Sequence, residues 1–508
     1  MKSLARLIAI SFTGCLFASP FAQAQFEPIN GYAEEALLFS ETHWNGSARI
    51  LGFGGAQTAL GGDISSVSAN PAGLGFYNRS EFSFTPSLNF ISTNTDYLGS
   101  SHSSGLANFN IGNLGLVINK PRKSPEGSVF LGGSFGFSYN RINDFHHEAY
   151  YSGVNSSNDF IDYVLGKIGT SYNNNDYIQG LSFDTYLVND FAIDPTTKDT
   201  LNQWSTYVED PRVHPPLQSE WIKSGGSQDQ WSISYGANLS DRFYIGASLG
   251  LVSLNYKTQR QYKEVRYPQS ILDNYVLNES LRISGGGVNG TFGAIVRPVD
   301  FVTFGITYTT PTLYQIDDEF NANMESFWRN SALAFYPNDN NFTGDQYSKW
   351  DPIVSKYTMR TASHLNAGAA VFIQKSGMIT GDIEWTDYTS SRLSGGGIDF
   401  SGDNDYITRI YKPALNYRIG GEYRLDKYRI RAGYNYMGDP YNNVDKLNRS
   451  VSAISAGAGY RGKAFYTDLA SVYSVYKSLT SPYTFNPTPI ANIDNHRLSF
   501  ILSVGFLF

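Results

Sequence analysis

Few residues in this sequence are spaced for chemistry. The seven histidines are His43, His102, His146, His147, His214, His364 and His496, and no H-E-x-x-H pair is present to hold zinc on one helix face. No G-x-S-x-G elbow is present to raise a nucleophilic serine. Ser363-His364 evokes a hydrolase pair but is read as coincidence, and His146-His147-Glu148 falls in a predicted loop and is not read as a metal site. Gly52, Gly54 and Gly55 are not followed by Gly-Lys-Ser/Thr, so they do not form a phosphate loop. The chain is therefore expected not to be an enzyme, with no catalytic residue, no metal and no cofactor. One constellation remains. Asp382 and Glu384, then Arg418, Glu422 and Arg424, then Arg429 and Arg431 share one face of neighbouring predicted strands. The arginines could hold a carboxylate. Because acids alternate with them, a self-paired network lining a lumen is the preferred reading.

The elements carrying those charges alternate with period two. Ile379, Ile383 and Trp385 lie opposite Asp382, Glu384 and Thr386. Tyr417, Ile419, Tyr423 and Leu425 lie opposite Arg418, Glu422 and Arg424. At the C-terminus Leu498, Phe500, Leu502, Val504, Phe506 and Phe508 lie opposite Ser499, Ile501, Ser503, Gly505 and Leu507. About eleven alternating residues is the length of a membrane β-strand. Fourteen strands are predicted, beginning near Glu81, Gly105, Ser128, Gln230, Arg242, Ser280, Phe301, Tyr357, Gly377, Arg409, Lys427, Ser450, Lys463 and His496. Short links such as Ser240-Asp241 and Asp426 alternate with long ones, the longest from Arg141 to Asp229; the link from Lys120 to Gly127 is intermediate. That rhythm predicts an all-β, 14-stranded antiparallel outer-membrane barrel with short periplasmic turns and long external loops. Within the longest insert, Phe160, Ile161, Val164, Leu165 and Ile168 predict a short helix.

Composition agrees. Charged residues are 16% of the chain and aromatic residues 15%, against roughly 25% charged in an average soluble protein. That excludes a disordered chain, and no apolar run of about twenty residues marks a membrane helix. A net charge of −7 without a basic patch argues against nucleic-acid binding. Lys2 and Arg6, an apolar stretch over residues 7–18 and Ala22-Gln23-Ala24 read as a secretory signal peptide over residues 1–24, which removes Cys15, the only cysteine.

Residues 25–78 lack strand alternation. Tyr32 to Ser40 predicts a short amphipathic helix, and small residues follow: GFGGAQTALGGDISSVSANPAGLG. Glycine and alanine permit close packing of such a segment against a barrel wall, so a lumenal hatch over 25–78 and a barrel over 79–508 are expected, with 141–229 as an external insert. This hatch sequence resembles that of the FadL/TodX family of outer-membrane transporters, whose pattern is Gly-Gly-Ala, an Asp, then Asn-Pro-Ala-Gly-Leu. Phe304-Gly-Ile-Thr-Tyr-Thr-Thr-Pro-Thr312, Gly381-Asp-Ile-Glu-Trp385 and the terminal Phe508 are similar to family positions.

The resemblance implies uptake of hydrophobic compounds, such as long-chain fatty acids or aromatic hydrocarbons. The implied route is capture by external loops, lumenal binding and lateral exit through the wall. It makes Asn70, Pro71, Ala72 and Gly73 the hatch turn, beside a kink in the third strand. There Gly132, Gly133 and Gly136 are the candidate lateral gate. The implied partners are a hydrophobic small molecule, outer-membrane lipid and the barrel-assembly machinery through Phe508, with a monomer expected. The long loops leave an alternative open, in which a barrel of this kind docks carrier proteins in a secretion system.

Overall fold

In the computed structural model, the described residues are 31–508, apart from positions 43–44, 121–127, 170–171, 174, 190–191, 194–199, 202–205, 207, 331, 333–341, 343 and 443. The predicted signal peptide, His43 and most of the Lys120–Gly127 link lie outside them.

Fourteen staves form one antiparallel sheet. They are β1 (Glu81–Tyr97), β2 (Ser100–Asn119), β3 (Phe130–Asp144, continued by His147–Val154), β4 (Leu217–Leu239), β5 (Phe243–Val265), β6 (Leu272–Val299) and β7 (Val302–Thr309, then Leu313–Trp328). The second half comprises β8 (Ile353–Arg360, then His364–Ile373), β9 (Gly377–Asp387), β10 (Pro413–Leu425), β11 (Tyr428–Met437), β12 (Val451–Arg461), β13 (Phe465–Thr480) and β14 (Ala491–Leu507). β1 pairs with β14 from Glu81–Leu507 to Tyr97–Ala491, which closes the barrel. Closure leaves no free sheet edge between first and last strands, as lipid requires. The alternation read from sequence holds: Phe500, Leu502 and Phe506 are exposed outward, whereas Ile501 and Ser503 are buried inward.

Several boundaries differ from the sequence reading, most of all at the ends of the insert. The insert is shorter than 141–229, because β3 runs on to Val154 and β4 begins at Leu217, both pairing above the predicted ends. Those extensions stand above the apolar band, where polar residues such as Glu148 and Lys223 hid the strand signal. The predicted helix is present as α3 (Phe160–Ile168), joined by α4 (Tyr177–Asp184). Both pack on the tall tops of β5 to β7, α3 through Phe160 and Val164 and α4 through Ile178 and Leu181, against Tyr262, Tyr275 and Met324. A further helix, α5 (Ser401–Ile410), lies between β9 and β10 and includes Arg409, where a strand start is predicted; that strand begins at Pro413 instead.

The segment before β1 fills the lumen. It contains α1 (Tyr32–Leu38) and α2 (Ala48–Gly52), then two 3-10 turns at Ile64–Val67 and Pro71–Phe76. Ser47 caps α2 by accepting from the Ile50 amide, and Asp63 and Asn70 cap the two turns in the same way. The wall meets this segment with glycine. Gly115, Gly136, Gly236, Gly246, Gly293, Gly305, Gly368, Gly420, Gly433 and Gly457, one each on ten strands, face inward where plug atoms press on them. A Cβ on Gly246 or Gly236 would strike Pro71, and one on Gly420 or Gly433 would strike Phe53. Gly236–Gly246–Gly293 and Gly420–Gly433 are paired in register, so the girdle is continuous across adjacent strands.

Candidate functional site

The Asn-Pro-Ala-Gly turn is rigid for local reasons. Asn70 donates to the Thr58 carbonyl at 2.6 Å and accepts from the Ala72 amide at 3.1 Å; Pro71 opens the 3-10 turn with its fixed φ. Gly73 accepts from the Gly62 amide. The turn seats on β4, β5 and β6: Pro71 touches Gly236 and Gly246, and Ala72 packs with Tyr244 and Ile295. Contact with β3 is made instead by Val67 and Leu74, which pack on Gly136.

The predicted charge network is paired, in two groups. Asp382 accepts from the Gln57 and Thr58 amides and the Thr58 hydroxyl at 2.7–2.9 Å, tying β9 to the plug. Beside it Glu384 takes Arg418 at 2.9 Å and Asn416 at 2.8 Å. In the second group, Glu422 binds Arg424 and Arg431 at 2.9 Å each, and Arg431 also binds Asp468 at 2.8 Å. Arg49 of α2 bridges Glu422 and Asp63, which joins the group to the plug. Arg429 stands apart and donates to the Asp426 and Tyr428 carbonyls of its own turn. The paired arginines are committed to the wall and plug rather than offered to a ligand.

Of the predicted gate glycines, Gly136 is paired on both sides, to Val117 of β2 and Ser234 of β4, and Gly132 and Gly133 are paired to β4. Gly132 (φ 145°) is a bulge against β4, and β3 remains paired on both sides at Ser134 and Gly136. The break in the wall lies higher. β2 and β3 share only seven residue pairs, from Asn119–Ser134 to Asn113–Asn140. At that point both strands are irregular: Gly112 bulges from β2 opposite Thr85-Pro86, and Ile142 bulges from β3. Proline offers no amide to a ladder, so Pro86 is the one sequence signal for this irregularity. Beyond it, β3 crosses the inner face of the β1–β2 hairpin, where Thr93 and Thr95 donate to the Glu148 and Tyr150 carbonyls.

Side chains span the break. Asn108 and Asn110 both donate to Asp144, at 2.6 and 2.9 Å, and His146 lies 2.6 Å from the same carboxylate. Phe109 and Ile111 face outward at this height, so the split opens within the lipid-facing band. Behind it lies a cavity of about 540 Å³. Its apolar walls include Leu37 and Leu38 of α1, Leu51 of α2, and Ile142, Phe145, Tyr256, Val472 and Ile501; both lips of the split, Asn110-Gly112 and Arg141–Asp144, also line it. Arg497 reaches in from β14 and donates to the Asp144 carbonyl at 3.2 Å.

The cavity roof depends on α1. Ala33, Ala36, Leu37 and Phe39 pack with Tyr357, Ile407 and Tyr411, and Glu35 accepts from Tyr357. Burial raises the Glu35 carboxyl well above its ordinary range, and burial with the nearby Asp439 charge lifts Glu41 to about 7. A carboxyl whose docked pKa exceeds its free value takes up a proton on docking. Docking is thus strongest below the ordinary value of 4.5 and weakens as pH rises through about 7. Hydrogen-exchange protection of residues 32–41 is expected to fall between pH 5 and pH 8, and the Glu35→Gln, Glu41→Gln double variant is expected to flatten that dependence. Equal slopes in both proteins would refute it.

A closed antiparallel barrel of fourteen strands around a plug is an outer-membrane barrel architecture. Its fold is that of the FadL/TodX barrels. The structure of a FadL homologue from Pseudomonas aeruginosa matches with a TM-score of 0.55 at 13% identity, over 92% of this chain and 99% of that one. The toluene transporter TodX of P. putida matches with a TM-score of 0.53 at 13% identity, over the same shares. No family model matches the sequence, and no curated protein matches it.

Proposed function

We propose that this barrel takes up hydrophobic compounds across the outer membrane. In this reading the solute is captured beneath the external loops, rests in the cavity above the plug, and leaves sideways between β2 and β3. The carrying observation is that the cavity reaches a break in the wall at the level of lipid-facing Phe109 and Ile111. A plug held by Asp382, Arg49 and the glycine girdle obstructs straight passage, whereas the lateral path delivers the solute into hydrocarbon. An apolar solute in an aqueous pore has no favourable site, but each methylene buried in an apolar lining is worth about 0.8 kcal/mol. The similarity in fold to a toluene transporter supports the reading.

The test is uptake of labelled long-chain fatty acid and of toluene by proteoliposomes, with empty liposomes as reference. Saturable uptake of either solute is expected. No uptake of either, in a barrel that co-purifies with exported proteins, would replace this reading with carrier docking.

A further inference from the structure

The outer face of the wall carries a second concavity, unrelated to the lumen. Three consecutive glycines, Gly285–Gly287, thin β6, and a groove of about 1000 Å³ forms where Gly286, Val288, Leu313, Gln315, Arg360 and Arg392 meet. Its height is set by register. Leu251 pairs with Val288, Val288 with Leu313, and Leu313 with Arg360. Leu251, Val288 and Leu313 are exposed and close the apolar band of β5 to β7; the next outward residues are Ser253, Gly286 and Gln315. The two arginines therefore stand at the upper margin of the hydrocarbon.

Arg360 and Arg392 are directly opposite each other across a ladder. Like charges so placed repel. Arg392 is aimed by its donations to the Thr389 and Ser391 carbonyls at 2.6 and 2.7 Å. Among the described residues neither arginine has a carboxylate within ion-pair distance. The acid in the groove, Asp317, is held by Lys356 at 2.8 Å. Three outward positions above Leu251 and Val288, Lys257 and Arg282 are also opposite each other, with Glu319 opposite Arg282 on its other side. An anion between Arg360 and Arg392 would relieve their repulsion, and guanidinium groups match phosphate in charge and geometry.

We propose that this groove binds a phosphorylated glycolipid of the outer leaflet. Its phosphate lies between Arg360 and Arg392, and an acyl chain lies along Val288 and Leu313. Apolar contact below and paired cations above fit an amphiphile at this depth better than a free anion.

The test titrates the detergent-purified full barrel with diphosphorylated lipid A and with the same lipid stripped of phosphate, reading bound lipid by native mass spectrometry. Arg360→Gln with Arg392→Gln is expected to weaken lipid A binding roughly tenfold, with the folded barrel verified by heat-modifiable gel mobility. Phosphate-free lipid is expected to bind the unaltered barrel as weakly as lipid A binds the variant. Undiminished binding by the variant, or equal binding of the two lipids, would overturn the proposal. So would displacement of lipid A by inorganic phosphate at matching concentration, which would mark a free-anion site. If the double variant does not assemble, the two-lipid comparison on the unaltered chain decides. Neither result depends on uptake, so failure here leaves the transport reading standing.

Discussion

Gly112→Phe is expected to reduce uptake of a hydrophobic solute at least about tenfold, equivalent to about 1.4 kcal/mol on the rate-limiting barrier. Gly112 is the bulged residue of β2 at the point where its ladder with β3 ends, and it lines the cavity. A Cβ there meets nothing closer than the Thr85 carbonyl oxygen at 3.6 Å, so the backbone accepts a side chain. A benzyl group would occupy the lip of the split opposite Arg141 and Ile142 and obstruct the sideways path. Because the neighbouring β1–β2 pairs and the seven β2–β3 pairs below remain, the barrel should assemble. Ligand binding to the purified variant should persist while proteoliposome uptake falls, since the cavity lies behind the lip. Gly132→Phe is the comparison. Its site has open space at the β3–β4 bulge, away from the split, but its φ of 145° strains any side chain, so heat-modifiable gel mobility must first show a folded barrel. Loss of uptake in Gly132→Phe with normal uptake in Gly112→Phe would move the exit to the third-strand glycines.

The barrel was legible because lipid enforces period two on every stave, and Asp382, Glu384, Arg418, Glu422 and Arg431 all face inward as that period requires. The plug was legible as a stretch without alternation, and its Asn70-Pro71 turn as turn chemistry. The exit was not. A missing ladder is a fact about two strands at once, and neither β2 nor β3 loses its alternation where they part. Glycine in a strand also has two readings. In β3 it reads as a weakness in the strand, yet Gly136 is a seat for Val67 and Leu74, one member of a ring that exists only when ten strands are brought to one level. The hydrogen bonds among Asn108, Asn110, Asp144 and His146 were hidden for the same reason, since these residues meet only where β3 swings inward.

That ring supports the second large effect. Gly420→Leu is expected to unseat the plug, and Gly421→Leu, its neighbour on the opposite face of β10, is not. Gly420 is buried against the Phe53 carbonyl, and a Cβ there would overlap plug backbone rather than a flexible side chain. Gly421 faces outward, where its added Cβ meets the Met378 carbonyl at 3.3 Å and the side chain enters lipid. Overpacking costs roughly 1–3 kcal/mol where neighbours can shift. Here the neighbour is the α2 terminus, fixed by Arg49 to Glu422 and Asp63 and by the Ala48 amide to Ser503. The wall is a hydrogen-bonded ring on both sides of Gly420, paired to Gly433 and Thr380, so the plug should yield first. Planar-bilayer conductance should rise well above that of the unaltered barrel in Gly420→Leu alone, and protease should reach residues 48–62. Unchanged conductance in a folded Gly420→Leu barrel would show that the girdle is not what seats the plug. Equal increases in both variants would mean that β10 itself had failed.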